Sequence, residues 1–475
     1  MAKSPMFRGL RSGFGKLAMV SGCALILVMF ALPTFALSGD QPATTDSAVA
    51  TPPPADPQTS TSPAVAPAPT GMMFMHQDYM LNWGPARQRW ADKGLTFNFF
   101  YITDAFDDVR RPAGARDTFN NWNRIRGTVD LDFGKMYAAK GLSFHATGLW
   151  QNGSNMGGVI GSIANPSGLV SFHQFRIDSM WLQQKFAKDK VIVTAGLMAS
   201  QDFYGLQEYG GSFLIEPLDY NYGNMGNVRA SYDPSSGPGA ELKIAPSKKF
   251  YAKTAWFMPS SREFTASDPL HTTHPPLYAT GFNYSNGSFG SMSDTEVGFY
   301  TDPDAPASRK SYPGIIKVGV IYNGGRGFFD YKAGRTVSGN YTVYVQANQP
   351  IYRVGAGSNR GVDFTFGVNT GAQNKSKVPT QFTTGLIFHG PIPVRPKDSL
   401  DFGFVYSKIG SDFNRAANAL VPGSGLNDEK AYEVNYKIQL APWLVLQPVY
   451  QYYANVGGRQ KGAAGLAGFR LQTTF

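Results

Sequence analysis

The chain closes on LAGFRLQTTF, Leu466 to Phe475. Ala467, Phe469, Leu471, Thr473 and Phe475 fall on one phase of a two-residue period, and Gly468, Arg470, Gln472 and Thr474 on the other. One face is mostly apolar and the other polar, the pattern of a half-buried strand. The last residues of a soluble domain usually fray. A terminal aromatic in register with an apolar face is instead a structural member. A last strand of this kind must pair with the first, because an open sheet edge cannot face lipid.

Working back from that end, the same period recurs. In AYEVNYKIQL, Tyr432, Val434, Tyr436, Ile438 and Leu440 oppose Glu433, Asn435, Lys437 and Gln439, and a second run, Leu444 to Tyr453, follows after only APW. In GTVDLDF, Val129, Leu131 and Phe133 oppose Thr128, Asp130 and Asp132; in SLDFGFVY, Leu400, Phe402, Phe404 and Tyr406 oppose Ser399, Asp401, Gly403 and Val405. Sixteen such segments begin near residues 95, 124, 141, 175, 190, 240, 250, 294, 315, 340, 361, 380, 399, 430, 444 and 464, and stretches near 225 and 277 also have strand character. Long connections (102–123, 152–174, 199–239, 259–293, 407–429) alternate with short ones (134–140, 187–189, 246–249, 441–443), less regularly in the middle of the chain. Short periplasmic turns and long external loops are the asymmetry of an even-stranded outer-membrane barrel. If the first strand rises from the periplasm, 102–123 is external, 441–443 periplasmic, and Phe475 ends at the periplasmic interface.

Composition agrees with many short strands and Gly-rich turns: 475 residues, 53 of them Gly, 14% aromatic and only 16% charged. The net charge is +10, but Lys3, Arg8, Arg11 and Lys16 supply four of those charges within the first 36 residues, which hold no acid. No basic block remains to suggest nucleic acid as a partner. The basic start, the apolar run Leu17 to Leu32 and Thr34-Phe35-Ala36 read as a signal peptide over 1–36. The only cysteine, Cys23, falls inside that apolar run, so the mature chain has neither a disulfide nor a cysteine-ligated metal. Residues 37–70, rich in Pro, Ala, Thr and Ser, form a disordered linker. Residues 71–94 hold a short helix in GPARQRWADKG, with Pro85 near its first turn and Gly94 past its end, and 95–475 is the barrel. No apolar run of about 18 residues or more follows the signal, so helical spans are excluded.

The stretch YEVNYKIQLAPWLVLQPVYQYYANVGG, Tyr432 to Gly458, resembles the penultimate hairpin of OprB-type carbohydrate-selective porins in Glu433, Tyr436, Gln439, Pro442, Trp443, Leu446, Gln447, Pro448, Gln451, Tyr452, Gly457 and Gly458. GLSFHATGLWQNG from Gly141, FRIDSMWLQQKFAKDKVIVTAGLM from Phe175 and GNYTVYVQANQPIYR from Gly339 add to the resemblance. Val449 stands where that family carries an Asp, and Val456 where it carries a Pro. The resemblance implies a sixteen-stranded outer-membrane barrel that passes sugars down their gradient without a cofactor.

A sugar pore needs aromatic faces for the C–H faces of a pyranose, and acids, amides and Arg for its hydroxyls. The strand-borne candidates for the pore wall are Glu433, Asn435, Lys437, Gln439, Gln447, Gln451, Arg470 and Gln472, with Arg124, Arg126, Asp130 and Asp132 on an early strand. The loop Ala199 to Asn227 interleaves aromatics with acids: Phe203, Tyr204, Tyr209, Tyr220 and Tyr222 with Asp202, Glu208, Glu216 and Asp219. Folded inward, it would narrow the pore; left outside, its acids face solvent and its aromatics form an interfacial girdle. Phe475 is the candidate assembly signal, read by the outer-membrane assembly machinery. The expected partners are small sugars, outer-membrane lipid and further copies of the chain. The six histidines are spread without metal spacing, and nothing around His145 in FHATGLWQNGS resembles a lipase motif. A less selective porin, and more remotely a secreted β-rich binding protein or an outer-membrane enzyme, are the competing functions.

Overall fold

The computed structural model describes residues 79–81, 83, 85–111, 118–169, 174–219, 226–230, 236–258, 291–301, 314–355, 358–459 and 462–475. The signal and linker segments, Cys23, Tyr220, Tyr222, His76, His173, His271, His274 and the stretch near 277 lie outside the described residues.

A helix, α1 (Ala86–Asp92), precedes sixteen strands. These are β1 (Leu95–Arg110), β2 (Phe119–Asp132), β3 (Leu142–Gly153), β4 (Gln174–Phe186), β5 (Val191–Met198), β6 (Gly237–Ser247), β7 (Phe250–Phe257) and β8 (Met292–Tyr300). The series continues with β9 (Ile315–Asp330), β10 (Arg335–Arg353), β11 (Gly361–Gly371), β12 (Thr380–His389), β13 (Ser399–Lys408), β14 (Glu429–Ala441), β15 (Leu444–Ala454) and β16 (Ala463–Thr474). Each strand pairs with its neighbours in sequence, and β16 pairs antiparallel with β1, so the sheet closes into a barrel with no edge. Closure satisfies every ladder group inside the sheet, which is what lets strands cross lipid.

The alternation decides the faces. On β14, Glu429, Ala431, Glu433 and Asn435 are buried inward, while Tyr432 points out and is exposed. On β16, Gly468, Arg470, Gln472 and Thr474 take the inner phase, and Phe469 the outer. The seam is held at its last residue. The Phe475 N–H donates to Phe99 O at 2.8 Å, and Arg87 of α1 donates to Phe475 O (3.1 Å) and Phe97 O (2.5 Å). The Met80 N–H donates to Thr474 O, so the segment before β1 lies against the closing strand.

Two expectations are corrected. The long first connection is not 102–123, because β1 runs to Arg110 and β2 starts at Phe119. Asp104 and Asp108 read as loop residues; they are inward-facing strand residues, each 1% exposed, and their polarity belongs to the barrel interior. The stretch near 225 forms no strand in the residues described: 226–228 are helical.

Candidate functional site

The interior is not an open tube. After β5 the chain turns inward, and Ala199 to Asp219, ending in the short helix α4 (Glu216–Asp219), crosses the inner wall from β8 to β15. Each step is fixed by a wall side chain on the polar phase of a strand. Gly205 donates its N–H to Glu296 Oε2 (3.2 Å) and Tyr344 Oη (3.0 Å), and its carbonyl accepts from Gln346 Nε2 at 2.6 Å. Gln207 bonds Thr383 and Thr365, both at 3.1 Å. The Leu214 and Ile215 N–H groups donate to the Glu433 carboxylate at 2.9 and 2.8 Å, and Ser212 O accepts from Asn435 Nδ2 (3.0 Å) and Gln447 Nε2 (2.9 Å). Carboxylates are strong acceptors for backbone N–H groups, and a buried loop needs such partners, because its own backbone has no ladder to join.

Glycine makes room for the anchors. Phe213, fully buried, lies over Gly385 and Gly403; a Cβ on Gly385 would sit 2.5 Å from its ring. Tyr344 lies over Gly319 and Tyr251 over Gly298, each so close that a Cβ would fall 2.2 Å from a ring atom. Both hydroxyls then reach Glu296, at 2.6 and 2.7 Å, and Lys253 Nζ completes this hub at 3.1 Å from Oε1.

A second inward segment follows β3 and includes the helix α3 (Met156–Ile160, which precedes α4 in the chain). Ile163 and Ala164 donate to Glu429 at 2.9 and 2.7 Å, Gln451 Nε2 donates to Pro166 O at 2.9 Å, and Ser167 Oγ to Asp104 at 2.6 Å. Asp104 is also gripped by Arg470 in a two-pronged bond, 2.7 and 2.8 Å. The two segments meet where Glu216 N donates to Asn165 O and Gly168 N to Leu214 O.

The sequence-level candidates therefore divide. Glu433, Asn435, Gln447, Gln451 and Arg470 face inward but are covered; the first four hold loops directly, and Arg470 does so through Asp104. Lys437 does the same through Gly211 O at 3.0 Å. Gln472 is buried on the inner phase. Gln439, on the inward phase, is spent on its own turn, donating to Ala441 O at 2.6 Å, and Asp132 caps the helix α2 (Phe133–Tyr137) by accepting from Lys135 N. Tyr204 and Tyr209 are 0% and 2% exposed, so their rings offer no face for stacking. Glu208 pairs with Lys317 Nζ at 2.8 Å, and Asp202 and Phe203 are half-buried. Burial, and then the charge of Asp219, pushes the Glu216 carboxyl up to about 8. Burial raises Asp219 to about 6, against the pull of Arg470, with Asp104 adding to the rise and Arg124 and Lys437 opposing it.

On the opposite wall Arg124 donates to Gln151 Oε1 (3.0 Å) and Leu169 O (2.9 Å), and Arg126 pairs with Asp178 at 2.8 Å. Asp130 lies 2.7 Å from His145 Nδ1, with its side chain 41% exposed. The His145 ring is stacked on Trp181, centroids 4.5 Å apart and 13° from parallel, and Phe203 meets Trp181 edge-on at 6.4 Å. Trp181 is absent from the sequence-level candidates. A register shift opposite Thr147/Gly148 changes the phase of β4, so simple alternation along that strand misplaces it.

A closed sixteen-stranded antiparallel barrel with an inward-folded loop after β5 has the architecture of an outer-membrane porin. The family model for "Carbohydrate-selective porin, OprB family" matches residues 116–475, and the chain belongs to that family. Porin B of Pseudomonas aeruginosa is 21% identical over 433 residues, covering 83% of this chain and 90% of that protein. The high-pH structure of Pseudomonas putida OprB superposes with a TM-score of 0.74 at 18% identity, covering 84% of this chain and 99% of that one. The low-pH structure of the same protein gives 0.53 at 16% identity, with the same coverage.

Proposed function

We propose that this porin passes neutral sugars by passive diffusion through the space between the loop Ala199 to Asp219 and the wall of β2 to β4. The observation that carries this reading is the Trp181 ring, backed by His145 and flanked by Phe203, beside the partly exposed Asp130. An aromatic face with a carboxylate at its edge suits the C–H face and hydroxyls of a pyranose. Binding there must stay weak for the solute to leave. Arg126 and Asp178 behind the platform give that wall mixed charge, which neither repels a neutral solute nor favours one ion sign. Of the loop aromatics, Phe203 is the proposed contact, while Tyr204 and Tyr209, both buried, position the loop.

The test is uptake into liposomes of glucose, an amino acid of similar size and a small carboxylate. Trp181→Ala and Phe203→Ala should each lower the preference for glucose by roughly two- to tenfold, the worth of about 0.5–1.5 kcal/mol of aromatic contact. Entry of all three solutes in order of size alone, in parent and variants, favours the general-diffusion reading. An enzymatic reading draws little support. Asp130, His145 and Thr147 form a chain (2.7 and 3.0 Å), but the Thr147 hydroxyl is buried against Thr128. We further infer export through residues 1–36, recognition of the Phe475 strand by the assembly machinery, and assembly with further copies of the chain as the finer parts of the same reading.

A further inference from the structure

We propose that the outer face of β12 to β15 holds an anionic, multiply acylated lipid of the external leaflet, with its acyl chains in an apolar groove and its phosphate at Arg110 and Lys430. The proposal rests on the outer-membrane placement given above. A groove of about 560 Å³ lies on the lipid-facing side of these strands. It is built from two adjacent lateral rows of outward side chains. One row runs Leu386, Phe402, Val434, Tyr450; the other runs Thr384, Phe404, Tyr432, Tyr452. Small residues, Thr384 and Val434, interrupt the rings and leave the depression. Along the upper row Phe404, Tyr432 and Tyr452 stand 5.0 and 6.3 Å apart, a continuous aromatic rim.

The chemistry changes where that row meets the external rim. Tyr452 pairs with Gly465 and Gly465 with Arg110, so the row ends on a guanidinium, which lies 5.6 Å over the Tyr452 ring. Lys430 is two residues beyond Tyr432 on the same outward face, and Lys408 two beyond Tyr406 on the next strand; both are exposed. Two carboxylates are near. Asp428 is occupied by the Tyr406 hydroxyl and the Ile409 N–H, and Asp107 ends the lower row, beside Ala467. Among the described residues neither Arg110 nor Lys430 has a carboxylate partner. A phosphate above acyl chains matches cations above an apolar groove. The rim is the external one, because β14 begins, and β13 and β15 end, at connections opposite the rim that carries Phe475.

The test is native mass spectrometry of the full barrel, purified in detergent, incubated with a diphosphorylated multi-acyl glycolipid or its dephosphorylated counterpart. The phosphorylated lipid should be retained at least about tenfold better, and Arg110→Ala/Lys430→Ala should erase that difference while leaving single-channel conductance unchanged. Val434→Trp, which fills the groove, should lower retention of both lipids. Equal retention of the two lipids by the parent barrel overturns the proposal. So does retention of the phosphorylated lipid unaffected by the double substitution. Cross-linking of two copies through Tyr432→Cys in lipid vesicles would also overturn it, by assigning the groove to a second barrel.

Discussion

Glu433 offers the most direct test of how the constriction is held. Its carboxylate accepts from Leu214 N and Ile215 N in the loop, at 2.9 and 2.8 Å, and from Asn435 Nδ2 and Gln451 Nε2 on the wall, at 2.8 and 3.1 Å. Glu433→Ala leaves the two loop N–H groups without their acceptor. Bonds to a charged group are worth about 1.5–3 kcal/mol each, which bounds the loss of docking energy at roughly 3–6 kcal/mol. Water reaching the vacated space recovers part of this, so the low end, about 3 kcal/mol, is the working figure, and it raises the undocked population about a hundredfold. Phe213 on Gly385 and Gly403, and the Asn435 and Gln447 bonds to Ser212 O, remain. The variant should therefore still close its barrel while the loop leaves the wall intermittently. In single-channel recordings this predicts transient steps to higher conductance that the parent lacks. Gln439→Ala is the control, because that amide serves only its own turn. A Glu433→Ala channel with the parent's conductance and noise, in a barrel of normal heat resistance, would refute the anchoring role.

Three further outcomes are expected. Val434→Arg, on the outward face at mid-strand, should cost about 2–4 kcal/mol of barrel stability in denaturant titrations, whereas Tyr436→Arg should cost less, because Tyr436 lies two residues nearer the strand end, where its hydroxyl donates at 3.1 Å to Asp398, the residue before β13. Deleting Phe475 removes its bond to Phe99 O and displaces the acceptor of Arg87; folded barrel in outer-membrane fractions should fall while the pores that form conduct normally, and Arg87→Ala should lower heat resistance in the same direction. Glu216 and Asp219 have folded values of about 8 and about 6, above those of free carboxyls, so the folded loop binds their protons more tightly than the undocked one. Docking is thus fully favoured below the free carboxyl range and weakens as pH rises through 6 and 8; opening steps should become more frequent between pH 5 and 9, and Glu216→Gln should remove the upper part of that rise.

The barrel was legible because lipid on one side and polar loops on the other impose the same alternation on every strand. The segments from 361 onward carry it cleanly, and their starts fall within about a residue of the observed strands. Where alternation misled, the interior was the cause. Asp104, Asp107 and Asp108 read as a turn, yet Asp107 points outward at the rim, and the interior tolerates Asp104 once Arg470 and Ser167 satisfy it and Asp108 once Arg111 and the Thr118 N–H do, so β1 runs on to Arg110. The inward path of the loop was visible only as composition. Its register along the wall depends on contacts more than a hundred residues apart, such as Gly205 with Tyr344 and Leu214 with Glu433, which no local period encodes. Trp181 was hidden by the register shift in β4, and the roles of Gly298, Gly319, Gly385 and Gly403 depend on which ring crosses them.

That difference changes how acids inside such a barrel are to be read. An inward carboxylate on a strand looks, from sequence, like a contact for the solute. Here Asp104, Glu296, Glu429 and Glu433 are all nearly fully buried, and each accepts from a loop backbone or hydroxyl group. A carboxylate holding two or more donors has little capacity left for a passing hydroxyl. A solute that competed for it would also have to lift the loop. On the proposed reading, a sugar instead meets partly exposed groups such as Asp130 and the half-buried Trp181 ring, rather than the most deeply buried acids. That reading gives selectivity and architecture to different residues of the same polar face. Exchanging solute-facing groups should retune preference at constant stability, while exchanging anchors should loosen the constriction for every solute alike.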